Sequence, residues 1–168
     1  SKRHSARTVM AERFAVGYVF IAILGLALAI KTGGVSLLLP LLLAMPIAVL
    51  QLFYDSMSRS RALIPELAGS ISTGAVATAI AISGGWPRPA AFGLWAIMAA
   101  RTLPTILYVR ARLQMLHGKP ASSSGVISAH LVAVLVVFGL AFVRLAPALA
   151  VLAMLVLLLR AIIGVSKS

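Results

Sequence analysis

The stretch that decides the fold is Phe14-Ala15-Val16-Gly17-Tyr18-Val19-Phe20-Ile21-Ala22-Ile23-Leu24-Gly25-Leu26-Ala27-Leu28-Ala29-Ile30, an unbroken uncharged run between Arg13 and Lys31. At about 1.5 Å of rise per residue, a helix of this length covers most of a ~30 Å hydrocarbon core. A strand of a membrane barrel would alternate apolar and polar residues, and this run does not. In lipid the backbone must satisfy its own hydrogen bonds, which leaves the helix.

The same pattern recurs five times toward the C-terminus. The spacing predicts spanning helices over 14–31, 35–54, 62–83, 90–109, 126–143 and 147–165. The expected fold is therefore all-α, a polytopic transmembrane bundle forming one domain over 1–168. A signal peptide with Ala27-Leu28-Ala29 as its cleavage site would explain the first run alone, not its five successors. The third and fourth segments are the least hydrophobic and are expected to be surrounded by the others. Ser1 and the Ser166-Lys167-Ser168 end suggest a piece of a longer chain.

Composition agrees. Of 168 residues, 61% are hydrophobic and 11% charged, with a mean hydropathy of +1.07. A soluble domain is ~45–50% apolar and ~25% charged. Cysteine is absent, which removes disulfides, thiolate catalysis and cysteine metal sites.

The net charge of +12 would suggest nucleic acid in a soluble chain. Here the basic residues follow loop parity. Lys2, Arg3, Arg7, Arg13, Arg59, Arg61, Arg110, Arg112, Lys119, Arg160 and Lys167 fall on one side, and Lys31, Arg88 and Arg144 on the other. Positive loops remain cytoplasmic, so the N-terminus is expected inside and no nucleic-acid partner is implied. Trp86 and Trp95 would mark the outer interface, Tyr54 and Tyr108 the inner one.

Arg101 is the one basic residue the loops do not explain. An ionisable group within a spanning helix calls for a named partner, and Glu66 is the expected one. The pair would be either a structural tie between the third and fourth helices or part of a site. Pro104 should free the Ala100 carbonyl, giving a polar spot with Arg101 and Thr102. Arg59, Arg61, Arg110 and Arg112 stand at the cytoplasmic mouths, where guanidinium groups suit a phosphate or diphosphate. The plainer reading of those arginines is the positive-inside rule with anionic lipid. His130 reads as a packing residue. Small residues four apart, such as Ala68/Ser72, Gly69/Thr73 and Ala75/Ala79, predict close helix contacts on more than one face of the third helix.

Tyr54-Asp55, Arg59-Ser60-Arg61, Pro65-Glu66-Leu67-Ala68-Gly69, then Ala100-Arg101-Thr102-Leu103-Pro104-Thr105, Leu107 to Arg112 and Leu159-Arg160-Ala161-Ile162-Ile163-Gly164 resemble the YwiC-like family of bacterial membrane proteins. Members usually begin with a Lys-Glu-His-Gly-Ala-Trp-like segment and one or two further helices. That segment is missing here. The family is often grouped by fold with UbiA-like intramembrane prenyltransferases. This grouping implies a bacterial cytoplasmic membrane and a cytoplasm-facing cavity for an isoprenoid diphosphate, with Mg²⁺ held by Asp-rich loops and prenyl transfer as the chemistry. Asp55 occupies a fitting loop position for the metal, but Ser56, Met57, Ser58 and Arg59 follow it in place of further carboxylates. The expected ligand-binding set is Asp55, Arg59, Glu66, Arg101, Tyr108, Arg110 and Arg112, facing an anionic lipid or isoprenoid diphosphate. The alternative is a non-enzymatic carrier or membrane assembly protein in which Glu66 and Arg101 form a structural or gating pair.

Overall fold

The computed structural model describes residues 6–59 and 61–166, with side chains from Val9 onward. Lys2, Arg3, Ser60 and Lys167 lie outside the described residues, as does the side chain of Arg7. The described residues form α1 (Ala6–Gly33), a short 3-10 turn (Val35–Leu37), α2 (Leu38–Ser56), α3 (Leu63–Ser83), α4 (Arg88–Leu116), α5 (Ser123–Phe142) and α6 (Ala148–Ser166). Six helical segments are long and apolar enough to cross a membrane, so the chain is an integral membrane protein by its helices.

The largest departures from the predicted bounds are α1, which begins at Ala6 rather than near 14, and α4, which runs to Leu116 rather than stopping near 109. Leu113-Gln114-Met115-Leu116 are good helix formers, and the chain stays helical until Gly118, whose φ of 68° suits glycine. Pro104 lies inside α4 without ending it. No polar spot forms there. Thr102 donates its hydroxyl to the Met98 carbonyl at 2.9 Å, and Ala100 packs in an apolar cluster with Ala133, Val137 and Met154.

From α2 onward, each helix packs on the next in sequence, and α6 also touches α4. Between lipid-embedded helices the hydrophobic effect gives little attraction, so close backbone approach and interhelical hydrogen bonds carry the association. α3 illustrates both. Gly69 meets the Gln51 side chain of α2, and Gly74 meets the Trp95 ring of α4; a Cβ on Gly74 would stand 2.7 Å from that ring. The two glycines serve different faces, as the small-residue rows predict. The Trp95 indole N–H donates to the Ile71 carbonyl at 2.7 Å. Thr78, fully buried, donates to the Ala91 carbonyl at 3.3 Å. Replacing Gly74 with leucine would remove this approach.

α1 stands apart. Its side chains from Val9 to Leu28 are exposed, and its packing is concentrated at its end, where Gly33 lies against Ser83. That contact, with Gly93 against the Leu145 carbonyl, defines one end of the helix array. Gln51 against Gly69 and Arg112 with Gly164 define the other. Lys31, Arg88 and Arg144 belong to the first end, and the described remainder of the basic loop residues to the second.

Candidate functional site

Three of the seven expected site residues lie near the ends of α2 and α3. Asp55 is exposed in the last turn of α2, and Arg59 is exposed in the turn that follows. Glu66 sits in the first turn of α3. Among the described residues, no three His, Asp or Glu side chains come together. Asp55 is thus a single carboxylate at a helix end, a donor set that does not match the several oxygens Mg²⁺ takes.

Glu66 does not pair with Arg101. Its Oε2 accepts from Arg110 Nη1 at 2.8 Å, and the same Nη1 donates to the Arg61 carbonyl at 3.0 Å. The reason is rotational. Arg101 and Arg110 are nine residues apart, two and a half turns at 3.6 residues per turn, so they leave α4 on opposite sides. Arg110 faces the start of α3; Arg101 faces away and is exposed. Among the described residues, its guanidinium makes no hydrogen bond or ion pair. The Glu66–Arg101 pair, in either its structural or its gating form, is replaced by Glu66–Arg110.

Beside this ion pair lies a cleft of about 440 Å³, lined by Arg61, Glu66, Thr105, Ile106, Val109, Arg110, Leu113 and Gln114. Its polar groups come from the turn before α3, the first turn of α3 and the C-terminal half of α4. Its apolar groups, Ile106, Val109 and Leu113, form a stripe on α4 at spacings of three and four residues, which is one helix face. The charged pair is about a third exposed, 36% for Arg110 and 37% for Glu66.

Tyr108 and Arg112 belong to a different face. They are seven and eleven residues beyond Arg101, close to whole numbers of turns, so all three share one stripe. That stripe meets α6. Arg112 Nη1 donates to the Gly164 carbonyl at 2.8 Å. The Arg160 guanidinium lies over the Tyr108 ring, 5.9 Å from its centroid, in a cation–π contact. His130 of α5 meets the same ring edge-on, with centroids 6.5 Å apart. It is buried, with Nδ1 2.9 Å from the Val126 carbonyl, in keeping with a packing role. A small cavity of about 40 Å³ lies among Thr105, Tyr108, Val109, His130, Leu157, Arg160 and Ala161.

The expected set therefore divides. Glu66 and Arg110 meet between α3 and α4, Tyr108 and Arg112 turn toward α6, and Arg101 stands without a partner on that second stripe. Sequence reading missed Thr105, Gln114 and the contact of Arg160 with Tyr108. The spacing of Arg101, Tyr108 and Arg112 was the available signal, since it places them on one stripe facing away from Arg110.

No curated protein and no solved structure matches the chain. The family comparison reaches as far as Ala81, into the last turn of α3, and leaves the α4 and α6 segments of the resemblance outside it. Over residues 1–81 the chain matches the family model described as YwiC-like protein.

Proposed function

We propose that the cleft between α3 and α4 binds an anionic amphiphile, with a phosphate or diphosphate head and an apolar tail. One observation carries this reading: Arg61 and Arg110 stand at a cleft of about 440 Å³ whose remaining walls include Ile106, Val109 and Leu113. Arg110 spends Nη1 on Glu66 and the Arg61 carbonyl and keeps further donors for an oxyanion. Guanidinium donors suit phosphate oxygens bidentately. The apolar stripe continues toward the membrane interior, the direction a tail would take. An isoprenoid diphosphate and an anionic phospholipid share this chemistry.

The test is binding to the purified protein in detergent, followed by native mass spectrometry. Isoprenoid diphosphates of several chain lengths, the matching isoprenols and phosphatidylglycerol are compared. Saturable binding of a phosphate-bearing amphiphile, absent for the isoprenol and weakened by Arg61→Gln, supports the reading. Retention of phosphatidylglycerol alone assigns the site to phospholipid. Equal binding of isoprenol and diphosphate, or none of any of them, overturns it. Incubation with labelled isoprenoid diphosphate and Mg²⁺ then reports whether binding leads to prenyl transfer.

A further inference from the structure

We infer that an apolar groove between α4 and α5 takes the hydrocarbon chain of the ligand whose head sits at Arg61 and Arg110, and so selects long chains over short ones. This rests on the head-group reading above and adds the part of the molecule that recognises the tail. The groove has a volume of about 490 Å³. Ala100 of α4 and Ala133 of α5 pack in one cluster. Beside them, Ala96 and Ala99 of α4 and Ala129 of α5 are too short to fill the space between the helices. The one polar side chain in the lining is Ser128, whose hydroxyl donates to the Gly125 carbonyl at 3.1 Å. The walls therefore suit a hydrocarbon and give a charged head no side-chain partner.

The groove and the charged cleft share no lining residue, but one stripe of α4 joins them. Leu103 and Leu107 line the groove, while Arg110 and Gln114 line the cleft. These four are spaced by four, three and four residues, which puts them on one helix face. A chain whose head is held by Arg110 and which follows this stripe toward the start of α4 meets Leu107, then Leu103, then Ala99 and Ala96.

Length and width describe the occupant. Arg110 and Ala96 are roughly 21 Å apart along α4 at 1.5 Å per residue. The part of this path inside the groove, from Leu107 to Ala96, is roughly 16 Å. One leaflet of a ~30 Å hydrocarbon core is about 15 Å deep, so the groove reaches the mid-plane. A volume of about 490 Å³ along that length leaves a cross-section of roughly 30 Å², room for one extended chain. Guanidinium donors at one end and a one-chain slot leading away from them fit a phosphate head with a long tail. A short tail would leave the Ala96 end empty.

The experiment uses the whole chain in detergent with hexadecyl phosphate carrying a diazirine at its chain end, photolysed and mapped by peptide mass spectrometry. Label is expected near Ala96 of α4 and Val136 of α5, and excess unlabelled hexadecyl phosphate should remove it. Ala99→Phe fills the groove roughly 16 Å from Arg110 and should weaken hexadecyl phosphate binding about tenfold. Ala129→Phe repeats the test from the α5 wall. Octyl phosphate is too short to reach Ala99 and should bind the Ala99→Phe protein as it binds the wild type, which also shows that the variant folds. Label spread over the lipid-facing helices and resistant to competition overturns the inference. Unchanged hexadecyl phosphate binding in both variants overturns it as well. Arg61→Gln separates the two readings, because it should weaken both phosphates alike. If Arg61→Gln affects neither ligand while Ala99→Phe weakens the longer one, the head-group reading falls and the groove stands.

Discussion

Arg101 and Arg110 project from opposite sides of α4, and only Arg110 reaches Glu66. A double-mutant cycle measures the consequence. Glu66→Gln with Arg110→Gln should show a coupling of about 0.2–1 kcal/mol in thermal or denaturant unfolding in detergent, reduced by salt because the pair is partly exposed. Glu66→Gln with Arg101→Gln should show none beyond error. Equal coupling in both cycles would mean that Glu66 moves between the two arginines.

Gly164 fixes how closely α6 approaches α4. A Cβ placed there would collide with the Tyr108 hydroxyl and stand 2.7 Å from Cε2 of the same ring. Overpacking a tight contact typically costs about 1–3 kcal/mol. Gly164→Ala should therefore lower the unfolding midpoint, while Tyr108→Ala, which vacates the ring's space, should make the glycine substitution nearly silent. Simple additivity of the two would show that the helices meet elsewhere.

These contacts separate what composition and periodicity reveal from what they do not. Phe14 to Ile30 and the runs after it are legible as spans because length and lack of charge are properties of one segment. The small rows of α3 are legible too, since Gly69 and Gly74 declare close packing without naming the neighbour. Glu66 is different. Choosing Arg110 over Arg101 needed the rotation of α4 relative to α3, and depth alone ranked Arg101 first. The contact of Arg160 with Tyr108 joins α6 to α4 across α5, a neighbour relation that no local pattern encodes. The isolation of α1 is equally invisible, because its sequence reads like that of a packed span.

The two tryptophans should report different surroundings. Trp86 is exposed in the turn before α4, whereas Trp95 is partly buried and donates to the Ile71 carbonyl. In vesicles, Trp95→Phe protein, which retains Trp86, should be quenched by aqueous iodide. Trp86→Phe protein, which retains Trp95, should resist iodide and respond to brominated acyl chains. Trp95→Phe should also destabilise the fold by about 0.5–2 kcal/mol through the lost interhelical hydrogen bond and ring contacts.

The partition of basic residues makes a prediction about sidedness that the absence of cysteine makes simple to check. Met57 and Ser124 lie at the end of the helix array that carries Arg59, Arg61, Arg110 and Arg112, while Thr32 and Pro147 lie at the end with Lys31, Arg88 and Arg144. Short loops rich in Lys and Arg stay in the cytoplasm. In intact cells an impermeant maleimide should therefore label Thr32→Cys and Pro147→Cys. Met57→Cys and Ser124→Cys should react only after permeabilisation. The reverse pattern would place the Arg61–Arg110 cleft outside the cell, where a cytoplasmic phosphate-bearing amphiphile could not enter it directly. Labelling of adjacent sites from both sides would instead point to two populations of opposite orientation. The strong excess of basic residues at one end argues against that outcome, because each added Lys or Arg in a short loop raises the barrier to translocating it.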